Sequence, residues 1–198
     1  RYPLASEELG VTSGLIDATL TASPYPIKSW IVYGQNVLES IPQREKTLAA
    51  INKLELLVVV DILPVEQTRY ADLVLPESTY LERYDAPHIV ETAHRPFIAI
   101  RQPAVAPQHD SRPGWWIAKQ MATRLGLDAW FPWQTPDEHL AKLIGPMGIS
   151  LSELKARGAM AFPGRPYIED RLPADGPLFP TESGRIELFS QTLKDLGH

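Results

Sequence analysis

The sequence predicts an α/β fold: a doubly wound, mostly parallel sheet with helices on both faces, extended by proline-rich segments. Three observations carry this. "IKSWIVYG" (27–34) is an apolar, β-branched and aromatic run stopped by glycine. "LELLVVVD" (54–61) holds five consecutive apolar residues, Leu56 to Val60, as a strand covered on both faces would. Between them "REKTLAAINKL" places Leu48, Ile51 and Leu54 on one helical stripe. Strand, helix, strand, followed by a short third strand "DLVLP" (72–76), is the plan of a parallel layer.

The remaining elements follow from local signals. "SEELGVTSGLIDATL" suits a short helix that "SPYP" stops. Ser40, Pro42 and Gln43 read as a capping box opening the helix over 42–54. "FIAIRQ" (97–102) suits an edge strand. "RPGWWIAKQMATRLG" is a helix with Ile117, Met121 and Leu125 at spacing four and Gly126 as its stop. Thr135-Pro136-Asp137-Glu138 caps a helix running to about Ile144, and Ser150 to Glu153 caps another that Gly158 ends. Residues 159–184 read as a proline- and glycine-rich connection, and "RIELFS" (185–190) as a late strand. One domain over 1–198 is expected, with its core at about 27–145 and a C-terminal extension at about 146–198.

Composition narrows the chemistry. The chain has 198 residues, 22% of them charged, and a net charge of −5 with no basic stripe, which argues against a nucleic-acid partner. It has no cysteine, so disulfides, Cys-ligated metals and a thiol nucleophile are excluded on this chain. No apolar run of about 18 residues exists to span a membrane. Its 19 prolines are about twice the ordinary usage, and the aromatics interleaved with them point to ordered connections. The first residue is Arg1 rather than Met, in keeping with a piece of a longer protein.

Candidate site residues cluster at strand ends. In an open α/β sheet ligands bind outside the carboxyl ends of the strands. Asp61 ends the second strand there, where an acid can accept hydrogen bonds from a ribose or a base edge, or cap the next turn. Gly34 allows backbone to approach a ligand, and Asn36 both donates and accepts. The helix start near Ile41 would favour an anion. A plain strand-to-helix turn explains the same triplet equally well. Asp72 reads as a cap or turn residue. Trp115 and Trp116 read as packing. His88, His94, His109, His139 and His198 show no metal-ligand spacing, and neither a catalytic residue nor a metal ligand is assigned.

Taken together, "PYPIKSWIVYGQN", "LVVVDILPVEQTRYADLVLPESTYLERYD", "GWWIAKQMATRLGL" and "FPTESGRIEL" resemble, in order and over nearly the whole chain, the third domain of the molybdopterin oxidoreductases of the dimethyl-sulfoxide-reductase family. The resemblance implies a Rossmann-like unit that cradles one guanine dinucleotide of a molybdenum bis(molybdopterin guanine dinucleotide) cofactor. Gly34, Gln35 and Asn36 would approach the nucleotide, Val60 and Asp61 would meet the guanosine, and Arg83 would lie near the phosphates. It further implies a larger catalytic subunit whose other domains complete the cage. An iron–sulfur cluster would sit in an N-terminal domain, with an iron–sulfur electron-transfer subunit and a membrane anchor subunit as partners, in a periplasmic or membrane-associated setting. The fragment alone would hold no cofactor and be inactive. "ESTYLERYDAP" and "PGWWIAKQ" look most like the polysulfide and thiosulfate reductase branch.

Three positions depart from the family's pattern. Val37 replaces the proline of Gly-x-Asn-Pro, Gln67 stands where threonine usually follows the glutamate, and Gly114 stands where some relatives carry an acid. A free-standing nucleotide-binding module without catalytic activity is the alternative; a flavodoxin-like unit lacks the necessary phosphate loop.

Overall fold

The three apolar runs become β1 (Ser29–Tyr33), β2 (Leu56–Asp61) and β3 (Leu73–Pro76) of one parallel sheet, in the order β1-β2-β3. This is a computed structural model, and it describes residues 12–90, 95–161 and 183–195, with 179, 181 and 197. Val32 lies beside Val59, and Val59 beside Val74. β2 is central and buried on both faces, with Val58, Val59 and Val60 at 7%, 0% and 2% exposure, which is why its apolar run is unbroken. β1 alternates instead. Trp30 and Val32 are buried, while Ile31 and Tyr33 on the opposite face are exposed.

Three helices gather on the Trp30 face: α1 (Thr12–Thr21), α2 (Val37–Ser40) and α3 (Arg44–Ile51). Their Ile16, Val37, Leu38, Ala50 and Ile51 form one core with Trp30, Val32, Leu57 and Val59. Each fully buried side chain of leucine or isoleucine size contributes about 1.5–3 kcal/mol by leaving water. The Trp30 indole N–H is matched within this core by Thr19 Oγ1 at 3.2 Å.

The capping box expected at Ser40–Gln43 does not form. Ser40 is the last residue of α2, and its Oγ donates to the Asn36 carbonyl at 2.9 Å. α3 begins after Gln43, which takes a left-handed φ of 62° and makes no side-chain cap bond. The physical reason is burial. Val37 and Leu38 enter the core at 7% and 2% exposure, and this draws the first helical turn forward of the serine.

The chain divides into two compact units, residues 1–79 with 108–112, and residues 80–107 with 113–198. The second unit carries a sheet of short antiparallel strands, β4 (His88–Val90), β5 (Phe97–Ala99) and β6 (Ala159–Ala161), with β5 in the middle. The edge strand expected at 97–102 is therefore shorter and central, because Ile98 at 0% exposure has a strand on each side. Residues 159–161 pair as β6 rather than opening a connection. Most of the connection that follows, 162–178 with 180 and 182, lies outside the described residues.

The helices α4 (Gly114–Arg124), α5 (Pro136–Ile144) and α6 (Leu151–Arg157) fall where the sequence predicts them. Thr135 Oγ1 accepts from the Glu138 N–H at 3.2 Å, and Ser150 Oγ from the Glu153 N–H at 3.4 Å. Ile98, Ile100, Leu140, Ile144 and Leu154 form the core of this unit. Ile117 is buried, but Leu125, expected on the same stripe, is exposed, because α4 has ended before it. "RIELFS" is not a strand. Leu188 is 97% exposed, and Thr181 and Ser183 instead bond back to Arg185 and Glu187. A strand needs a ladder partner, and none of the described strands pairs with it.

Candidate functional site at the carboxyl edge of the parallel sheet

Three parallel strands end on one edge, so the loops after Tyr33, Asp61 and Pro76 share it. Gly34 turns the chain with a φ of 60°, a conformation that disfavours a Cβ, and its N–H donates to the Val60 carbonyl at 2.9 Å. Val60 thus holds the loop through its backbone, while its side chain stays in the sheet at 2% exposure. Gln35 is exposed, and its Nε2 donates to Ser40 Oγ at 3.1 Å.

Asn36 occupies the cap position of α2 but makes no cap bond. Its Oδ1 is buried and accepts no hydrogen bond. An unmatched buried acceptor of this kind costs about 1–3 kcal/mol. The helix expected to start near Ile41 begins instead at Arg44, as α3. The turn that directly follows the loop is α2, four residues long, and its Val37 N–H is taken by Gln67 Oε1 at 2.9 Å.

Asp61 takes the capping role that was one of its two sequence readings. Oδ1 caps its own loop, accepting from the Ile62 N–H at 2.7 Å and the Leu63 N–H at 3.3 Å. Oδ2 has no hydrogen bond among the described residues. Asp72 is structural, as its position suggested. Its Oδ2 accepts from the Leu57 N–H at 2.7 Å, and its own N–H donates to the Leu57 carbonyl, tying β2 to β3 at the end remote from Asp61.

Two residues and one segment of this edge carry structure that sequence reasoning did not assign. Gln67, fully buried, donates from Nε2 to the Gln35 carbonyl as well as accepting from Val37. Glu77, 6% exposed, accepts the Tyr33 hydroxyl at 2.5 Å, and its N–H donates to the Asp61 carbonyl at 2.9 Å. Segment 108–112 docks beside it, with the Ser78 N–H donating to the Arg112 carbonyl at 3.0 Å. The only sequence signal was Gln67 itself, an amide where the resembling motif has threonine. Arg44 braces the loops from outside: it meets Glu66 at 2.6 Å, a contact that lowers the Glu66 pKa and raises that of Arg44.

Gly34, Gln35, Asn36, Val60 and Asp61 therefore share one edge of the first unit. Arg83 belongs to the second unit. There its Nε donates to Asp85 Oδ1 at 2.8 Å, and Arg101 meets the other oxygen of the same carboxylate at 2.6 Å. Arg101 also stacks over the Tyr80 ring at 5.2 Å. Among the described residues no group of three His, Asp or Glu side chains could hold a metal ion, and no helix is long and apolar enough to cross a membrane. His94 and His198 lie outside those residues.

What the fold and this edge define is a Rossmann-like α/β unit with polar loops at the carboxyl ends of parallel strands. The model of the molybdopterin oxidoreductase family matches residues 4–124, and the chain belongs to that family. It is 33% identical to the thiosulfate reductase molybdopterin-containing subunit PhsA of Salmonella typhimurium, over 94% of this chain and 27% of that protein. It is 26% identical to trimethylamine-N-oxide reductase 1 of Escherichia coli, over 87% of this chain and 22% of that protein. The solved structure of acetylene hydratase from Pelobacter acetylenicus superposes with a TM-score of 0.72 at 26% identity, covering 94% of this chain and 25% of that one. The chain thus spans about a quarter of the length of the relatives it matches.

Proposed function

We propose that this chain is the guanine-dinucleotide-cradling domain of a larger catalytic subunit that uses molybdenum bis(molybdopterin guanine dinucleotide). The observation that carries the reading is the unmatched Asn36 Oδ1 beside the positive-φ Gly34, at the carboxyl edge of a parallel sheet. The residues present fit such a group. Guanine presents N–H donors, and the edge offers acceptors short of donors at Asn36 Oδ1 and Asp61 Oδ2. Turning the half-buried Asn36 amide toward an arriving donor removes the cost of leaving it unmatched. In the second unit, Arg83 and Arg101 each contact the Asp85 carboxylate.

When bound, the cofactor supplies two-electron chemistry at its metal, and the protein supplies binding, orientation and electrostatics. This chain's share is to bind and orient. Gly34 admits the ligand to the backbone, and Asn36 and Asp61 receive its N–H and O–H groups. The substrate class we infer is a sulfur compound such as thiosulfate or polysulfide, supported by the 33% identity to a thiosulfate reductase subunit. The partners inferred are the other domains of the same subunit, an iron–sulfur electron-transfer subunit and a membrane anchor subunit.

The test is made on the full-length protein. Asp61→Ala is expected to lower both molybdenum and the guanine nucleotide released by acid hydrolysis, while circular dichroism stays unchanged. Normal content of both in the folded variant overturns the reading. The parent enzyme, supplied with reduced donor dye, should reduce thiosulfate or polysulfide in preference to trimethylamine N-oxide; preference for the amine oxide, or acetylene hydration alone, rules out the sulfur substrate. The isolated chain should show neither activity nor stoichiometric molybdenum.

A further inference from the structure

Gln67 lies on the single-turn 3-10 helix Glu66–Tyr70 and is 0% exposed. Its Oε1 accepts the Val37 N–H at 2.9 Å, and its Nε2 donates to the Gln35 carbonyl. Those two backbone groups stand on either side of Asn36. One buried amide therefore fixes both peptide planes that carry the Asn36 side chain. The turn is itself held in place, by Arg44 on Glu66 at 2.6 Å and by Thr68 Oγ1 donating to the Val65 carbonyl at 2.7 Å. A residue that only filled space here could be apolar. Burying a polar amide is unfavourable unless both its ends are matched. Both ends of this one go to the loop bearing the unmatched acceptor.

Val37 and Gln67 are matched to each other. A proline at position 37 would have no N–H and need no acceptor. Val37 has one, in a buried setting where an unmatched donor is costly. Glutamine at 67 supplies the acceptor, and it is long enough to reach the Gln35 carbonyl with its other end. Threonine has a single short hydroxyl and cannot span the two groups.

Resting on the proposed nucleotide reading, we propose that Gln67 is a positioning residue, coupled to Val37, that holds the Asn36 backbone in the place from which its amide turns to receive the guanine nucleotide. The pairing is testable by rescue. Val37 is the first residue of α2, where proline is tolerated, and Asn36 before it, at φ −93° and ψ 92°, lies outside the helical region that a following proline disfavours.

The experiment uses the full-length protein in four forms besides the parent: Gln67→Thr, Val37→Pro, the double variant and Asn36→Ala. The readouts are guanine nucleotide per chain after acid hydrolysis, its loss rate on dialysis, and the thermal midpoint. Gln67→Thr should lose nucleotide about tenfold faster, the scale of one buried hydrogen bond, and the double variant should return to near the parent rate. If Asn36→Ala keeps nucleotide like the parent, the nucleotide reading itself has failed. If Asn36→Ala loses it but Gln67→Thr does not, or the double variant is no better than Gln67→Thr, the positioning role alone is overturned. Should Gln67→Thr fail to fold, the double variant decides: folded with nucleotide retained supports the coupling, and unfolded overturns it.

Discussion

At the scale of single residues, the carboxyl edge works through conformations and acceptors that few side chains can provide. Gly34 has open space around an added Cβ, so only its φ of 60° resists substitution. Gly34→Ala should cost about 1–2 kcal/mol, the left-handed penalty of an L-residue. Urea unfolding measures it, and a cost near zero would show that the loop relaxes freely. A pH effect belongs to His139, which stacks on Trp133 at a centroid distance of 4.7 Å with Trp115 at 6.5 Å. Burial holds its pKa below the usual 6.5, so the unfolded chain takes up the proton first. Its contribution to stability is present above pH 6.5 and is lost as pH falls below it. Lys142, over the same Trp133 ring at 5.4 Å, adds positive charge nearby. The thermal midpoint should therefore drop on acidification from pH 7 to 5, and His139→Phe should flatten that drop. An unchanged slope would assign the acid sensitivity to other groups.

At the scale of elements, caps and burial compete, and the outcome differs between the units. α5 and α6 begin where their capping residues say they should, since no stronger apolar demand displaces them. Thr135→Ala and Ser150→Ala should each cost about 1 kcal/mol, read as a shift in denaturation midpoint, whereas Ser40→Ala should not act as a loss of an N-cap. An equal cost at Ser40 would contradict its place at the end of α2. The same competition explains what was legible. A capped amphipathic helix announces both its start and its buried face, but a short strand such as β4 or β6 is defined only by its neighbour.

At the scale of the whole molecule, two cores sustain two units. Leu57, at 2% exposure, anchors the first, and Leu154, at 0%, the second. Leu57→Ala and Leu154→Ala should each cost about 2–5 kcal/mol, seen by hydrogen exchange in the unit that holds the residue. Ile31→Thr, at a position 57% exposed, should change stability by less than about 0.5 kcal/mol. A large loss at Ile31 would mean that its face of the sheet is covered in the molecule as it occurs in solution.

The sequence by itself determined the parallel βαβ plan, the order of the three strands, two helix caps and the residues at the strand ends. These follow from periodicity, from uninterrupted apolar runs and from backbone chemistry, all of which act within about ten residues. Its linked motifs also pointed to the molybdopterin oxidoreductase family, to which the chain belongs. Only the tertiary structure decided that Gln67 grips the Gln35 and Val37 backbone, that Glu77 takes the Tyr33 hydroxyl, and that "RIELFS" pairs with none of the described strands. Each of these depends on which polar group meets which across a gap of tens of residues. A buried hydrogen bond has a direction and needs a specific partner, and neither is written in the local sequence; apolar burial needs only a periodic face, and that is.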